Sequence, residues 1–90
     1  MVVGTTFYYQ NVTMSNELGE IMKIFLGKNL KELRIERGLT QKQVADALEI
    51  NSVTYLHYEK DQREPPLTLL ADMAVFFDVS VDFLLGLTSY

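Results

Sequence analysis

The chain of 90 residues has no cysteine and one histidine. Without thiols there is no disulfide framework, no thiolate zinc site and no cysteine nucleophile, and the composition fits a reducing cytosol. One histidine cannot build a multi-histidine metal site, so neither a metal nor a cofactor is expected. No apolar run reaches the roughly 18 residues that a bilayer span needs. The N-terminus has no basic start and no apolar core of a signal peptide. A cytoplasmic protein with no membrane contact is therefore expected. Enzyme signatures are missing too: Gly27-Lys28 lacks the earlier glycine of a phosphate-binding loop, and no nucleophile–base pair or plausible pair of carboxylates stands out. The chain does not read as an enzyme.

Positive charge is also scarce. Eight Lys and Arg face twelve Asp and Glu, a net of −4. Its distribution matters more than its total. All eight basic residues lie between Lys23 and Arg63, against six acids, so that stretch is net +2. The middle of the chain is the place where an anionic partner is welcome. With 48% hydrophobic and 22% charged residues, the chain has the balance of one small folded domain.

One segment reads as a strand: residues 5–13, Thr-Thr-Phe-Tyr-Tyr-Gln-Asn-Val-Thr, are β-branched and aromatic. A lone strand must pair with another chain, lie on the surface or stay disordered. From about residue 16 the period changes. Leu18, Ile21, Met22 and Phe25 recur at helical spacing, which predicts a short amphipathic helix ending near Gly27. Residues 1–22 thus form an N-terminal extension and residues 23–90 a helical domain. Leu26, Leu30, Leu33 and Arg34 share one face of a helix that stops at Gly38. Thr40 and Gln43 form a capping box that opens a helix over about 41–48, with Val44, Ala47 and Leu48 inward. Asn51 caps a helix over about 52–60 that buries Tyr55 and Tyr58. After the polar loop Asp61–Pro66 come helices over about 67–77 and 81–85, the last capped by Ser80 and ended by Gly86.

Two short helices joined by Glu49-Ile50-Asn51 have the spacing of a helix-turn-helix. In that unit the second helix enters the DNA major groove and the first crosses the backbone. Around it stand Leu30-Lys-Glu-Leu-Arg34, Gly38-Leu-Thr-Gln41, Val44-Ala45, Ala47-Leu48, Tyr58-Glu59, Arg63-Glu64-Pro65, Leu69-Leu70 and Val79-Ser-Val-Asp-Phe-Leu-Leu-Gly86. This ordered set resembles the Cro/lambda-repressor helix-turn-helix family, the xenobiotic-response-element type, from about residue 23 to 86. The resemblance implies an all-α, five-helix DNA-binding domain.

Gln41 opens the first motif helix, where free N–H groups suit a DNA phosphate. The cap uses Thr40 and Gln43 and leaves Gln41 to point outward, and the resemblance implies a backbone contact there. It also implies that Ser52, Val53 and His57 reach base edges. Ser52 discriminates little, His57 suits a purine N7, and Val53 offers only apolar contact, such as to a thymine methyl. Leu56 extends that apolar strip. Lys60, Gln62 and Arg63 are natural phosphate contacts, joined by Lys42, Asn51 and Thr54. Arg34 and Glu59 match the family's inter-helix ion pair and carry a structural role. The sequence departs from the family pattern in two places. Glu49 stands where glycine is common, at a left-handed backbone position, and Val53/Leu56 replace polar residues, so they also fit a protein partner.

Each neutralised phosphate steepens the salt dependence by about 0.9, and about three to five available cations make one subunit a weak binder. Dimerisation follows. The apolar surplus at Leu85, Leu87 and Tyr90 is the expected two-fold interface, while Phe76, Leu84 and Phe83 fit the core. The strand-like segment is a second element that suits pairing across a dimer. The resemblance implies a homodimeric repressor of double-stranded DNA reading an inverted-repeat operator. An antitoxin-type autorepressor and a degenerate helix-turn-helix protein-interaction module are the alternatives.

Overall fold

A computed structural model of the chain describes residues 25–89. The strand-like 5–13 segment, the short helix from about residue 16 and Tyr90 lie outside those residues. Among the described residues the architecture is all-α: five helices and no strand. The first, α1, is helical over 25–36. It is followed by α2 (Gln41–Leu48), α3 (Ser52–Glu59), α4 (Leu67–Phe77) and α5 (Val81–Leu85). None of them is long and apolar enough to cross a membrane.

Local chemistry sets the starts. Thr40 Oγ1 accepts from the Gln43 N–H at 3.0 Å while Gln43 Oε1 accepts from the Thr40 N–H at 2.8 Å, closing the capping box of α2. Asn51 Oδ1 accepts from the Val53 N–H at 2.7 Å, and Ser80 Oγ from the Phe83 N–H at 2.9 Å. The fourth start has no side-chain cap: Pro66 precedes α4 with its extended backbone alone.

The ends share one device. Gly38, Glu49, Asp61, Asp78 and Gly86 all adopt positive φ, between 57° and 81°. In each case the next residue's N–H reaches back into the helix, as Leu39 does to the Arg34 carbonyl (3.1 Å) and Gln62 to that of His57 (2.9 Å). These crossed bonds satisfy carbonyls that a helix end leaves unpaired. Glycine adopts that conformation freely, whereas the acids Glu49, Asp61 and Asp78 hold it against steric strain.

The core is one cluster. Leu26, Leu30 and Leu33 of α1 meet Val44 and Ala45 of α2, Tyr55 and Tyr58 of α3, and Leu70, Met73 and Phe77 of α4, with Leu84 of α5 closing the end. Three sequence expectations are corrected here. Ala47 is exposed and Ala45 takes its place inside, beside Val44. Phe77, not Phe76, is the fully buried phenylalanine of α4, because it continues the Leu70, Met73, Ala74 row at helical spacing. Phe76 is half-buried and meets it edge-to-face at 4.9 Å.

Gly27 is the third correction. It lies inside the described run of α1 and does not end a helix. Its N–H donates to Asp61 Oδ1 at 3.1 Å, and a Cβ there would stand 2.5 Å from the Glu59 carbonyl oxygen. Only glycine lets α1 approach the end of α3 so closely. Two residues further along α1, Asn29 Nδ2 donates to the carbonyls of Phe83 (3.0 Å) and Leu84 (3.1 Å), fastening α5 to α1.

Candidate nucleic-acid interface

The outer face of α3 is held from behind by charge. Arg34 Nε donates to Glu59 Oε2 at 2.7 Å and Arg34 Nη2 to Oε1 at 3.2 Å, a forked pair. Arg34 Nη1 also holds the Leu39 carbonyl at 3.0 Å. The Glu59 side chain is only 3% exposed. Burial pushes its carboxyl upward, but hydrogen bonds donated by Arg34 and Gln41 outweigh this and leave it below the usual glutamate range. The same carboxylate raises the Arg34 guanidinium further. Both groups are therefore charged, and α1 is pinned to the end of α3.

Gln41 completes this cluster. Its Nε2 donates to Glu59 Oε1 at 3.0 Å, so the side chain turns back towards α3 and does not point outward. What remains at the start of α2 is backbone. Thr40 takes the Gln43 N–H, which leaves the amides of Gln41 and Lys42, at the positive end of the helix, for an external acceptor. The Tyr55 hydroxyl lies behind the pair, buried and with no hydrogen-bond partner among the described residues. Burial holds it far above the ordinary tyrosine range.

In front of this support, Ser52 is exposed and Val53 is 57% exposed. Thr54, Leu56 and His57 are half-buried, while Tyr55, Tyr58 and Glu59 face the core. The presented face of α3 is thus its first turn, led by Val53, with Leu56 and His57 set back one turn later. Asn51 is exposed, but its side-chain oxygen is occupied as the helix cap. Lys60, Gln62 and Arg63 are exposed beyond the far end of α3. Lys42 is paired with Asp46 at 2.9 Å on the surface of α2, and Glu49 is exposed in the turn. The face is therefore close to charge-balanced.

At the C-terminal end, Leu85 is half-buried and Leu87 is 53% exposed. Sequence reasoning passed over Val75, 80% exposed, which lines an open groove with Ala74, Val79 and Phe83. It also missed Asp61 and Asn29, whose roles depend on residues far along the chain.

A supported first turn of α3, set on α2 across a left-handed corner, defines a helix-turn-helix domain of the lambda-repressor type. The chain belongs to that family: the helix-turn-helix family model matches residues 30–84. It is similar to the HTH-type transcriptional regulator ImmR of Bacillus subtilis (strain 168), at 43% identity over 61 residues, 68% of this chain and 48% of that protein. The HTH-type transcriptional regulator YobD of the same organism is 41% identical over 61 residues, 68% of this chain and 54% of that protein. The cryptic phage CTXphi transcriptional repressor RstR of Vibrio cholerae is 36% identical over 52 residues, covering 58% and 47%. The chain spans about half the length of the curated relatives it matches. No solved structure matches it significantly.

Proposed function

We propose that the chain is a sequence-specific DNA-binding transcriptional regulator that inserts the first turn of α3 into the major groove. The observation that carries this reading is the exposed Val53 turn standing on the buried Arg34–Glu59–Gln41 cluster. Such a support fixes a reading helix as a rigid body, and the N-terminal residues of that helix are those that meet base edges. Ser52, Val53, Leu56 and His57 form the reading set. The amides of Gln41 and Lys42, with Asn51, Thr54, Lys60, Gln62 and Arg63, flank it as phosphate contacts. Its relatives are named as transcriptional regulators and a transcriptional repressor, which supports repression as the outcome.

The scarcity of cations supports a homodimer, in which Leu85 and Leu87 meet their symmetry mates with Tyr90 nearby in sequence. Two-fold symmetry then places the two α3 helices about 34 Å apart, one turn of DNA, on an inverted repeat. Selection of bound sites from random duplexes tests this, with wild type and with His57→Ala. The wild type recovers a short inverted repeat, and the variant relaxes one position per half-site. Recovery of no motif by the wild type overturns the reading.

The exposure of Val53 and the acid in the turn also favour a second reading, a protein-interaction module that has lost DNA binding. A gel shift on genomic fragments at two salt concentrations separates the two. Binding that weakens steeply with salt supports phosphate contact, and absent or salt-insensitive binding supports the interaction module.

A further inference from the structure

Val53 has no polar side-chain atom, is 57% exposed, and its N–H is already held by Asn51 Oδ1 at 2.7 Å. It offers a base nothing but a branched hydrocarbon surface. Half-buried Leu56, one turn on, continues that surface. In the major groove adenine, guanine and cytosine present polar edges, and thymine alone among the four bases presents a methyl group, at C5. Pressing a valine against a polar edge removes water from it without replacing the hydrogen bond, which is unfavourable. The polar members of the reading set do not sharpen the choice. Ser52 donates or accepts, and N7, the acceptor that suits His57, is common to adenine and guanine.

We propose that the Val53–Leu56 strip reads the 5-methyl group of a pyrimidine rather than the identity of the base. This rests on the DNA-reading role of α3 given above. The consequence is specific. 5-Methylcytosine carries its methyl on the same ring carbon as thymine, and neither Val53 nor Leu56 can tell an O4 acceptor from an N4 donor. The strip accepts thymine and 5-methylcytosine alike and disfavours uracil and cytosine. Cytosine methylation therefore creates binding sites for this chain.

The test uses duplexes carrying the site recovered by selection, so failure to recover a site speaks to the DNA-reading role and leaves the methyl question to duplexes that bind. Each thymine is replaced singly by uracil, which removes only the methyl. At one thymine per half-site the affinity falls about fourfold, the factor expected for one methyl no longer buried. At that position cytosine matches uracil, and 5-methylcytosine restores the affinity of thymine. Val53→Ala, at an exposed position, shrinks the thymine–uracil difference to less than twofold. Equal binding of every uracil duplex, cytosine and 5-methylcytosine binding alike, or a full difference retained in Val53→Ala overturns the proposal.

Discussion

Gln41 Nε2 donates to Glu59 Oε1 across 3.0 Å, joining the first residue of α2 to the last residue of α3. The two helices of the motif are thus tied by a side chain as well as by their packing, through a carboxylate that Arg34 already neutralises.

Breaking this cluster is expected to be costly. Glu59→Gln leaves the Arg34 charge buried without its partner and lowers stability by about 3–5 kcal/mol. Gln41→Ala removes one hydrogen bond to a charged acceptor and costs about 1.5–3 kcal/mol. The pH dependence has a definite sign. The folded-state pKa of Glu59 is depressed, so its contribution is complete above the ordinary glutamate range and is lost as pH falls through the folded value. Asp61 acts oppositely, because burial raises its carboxyl more than the Gly27 N–H lowers it. Urea midpoints measured from about pH 7 down to pH 3 check this. Glu59→Gln has a shallower acid-side fall than wild type.

Relief of strain at the turn is the second expectation. Glu49 sits at φ 60°, where a non-glycine residue carries on the order of 1 kcal/mol of strain. Glu49→Gly stabilises the fold by up to about 1 kcal/mol, reduced by the added freedom of glycine in the unfolded chain. It also removes an acid from beside α3, so DNA binding tightens at low salt. Thermal unfolding and binding isotherms report the two effects separately.

Gly27→Ala is expected to move the other way. The added methyl meets the Glu59 carbonyl and the Asp61 carboxylate, so α1 must shift. Overpacking of this kind costs about 1–3 kcal/mol. A urea midpoint equal to wild type rules out the close approach.

Tyr55→Phe tests the lone buried hydroxyl. Deleting a group with no hydrogen-bond partner among the described residues leaves stability unchanged or raises it by about 1 kcal/mol. Destabilisation beyond about 1.5 kcal/mol means that the hydroxyl donates to Glu59 instead.

What was legible in the sequence was local. The bounds of α2, α4 and α5 follow from caps and apolar spacing within a few residues, and α3 ends one residue earlier than expected, at Glu59. The left-handed turn at Glu49 was legible from the family resemblance. The long-range misses have one cause. The local capping box, which uses Thr40 and Gln43, leaves Gln41 outward, whereas its actual acceptor is 18 residues away. Gly27 looked like a stop because its neighbours Glu59 and Asp61 arrive from the far end of α3. Asn29 reaches partners 54 and 55 residues on. Periodicity finds a helix and one face of it; it does not find which side chain crosses to another helix. The phenylalanines are a different case, since the helical spacing of Leu70, Met73 and Ala74 already selects Phe77 over Phe76.

The repeated left-handed corner has a kinetic consequence. Each of these helix ends is closed within six consecutive residues, from Arg34 to Leu39, Ala45 to Ile50, His57 to Gln62, Ala74 to Val79 and Asp82 to Leu87. Corners of that kind need no distant segment to form, and chains dominated by short-range closure search few arrangements before collapse. The route to the native state is therefore laid out in the corners themselves, with the slow work left to the few side chains that must find α1.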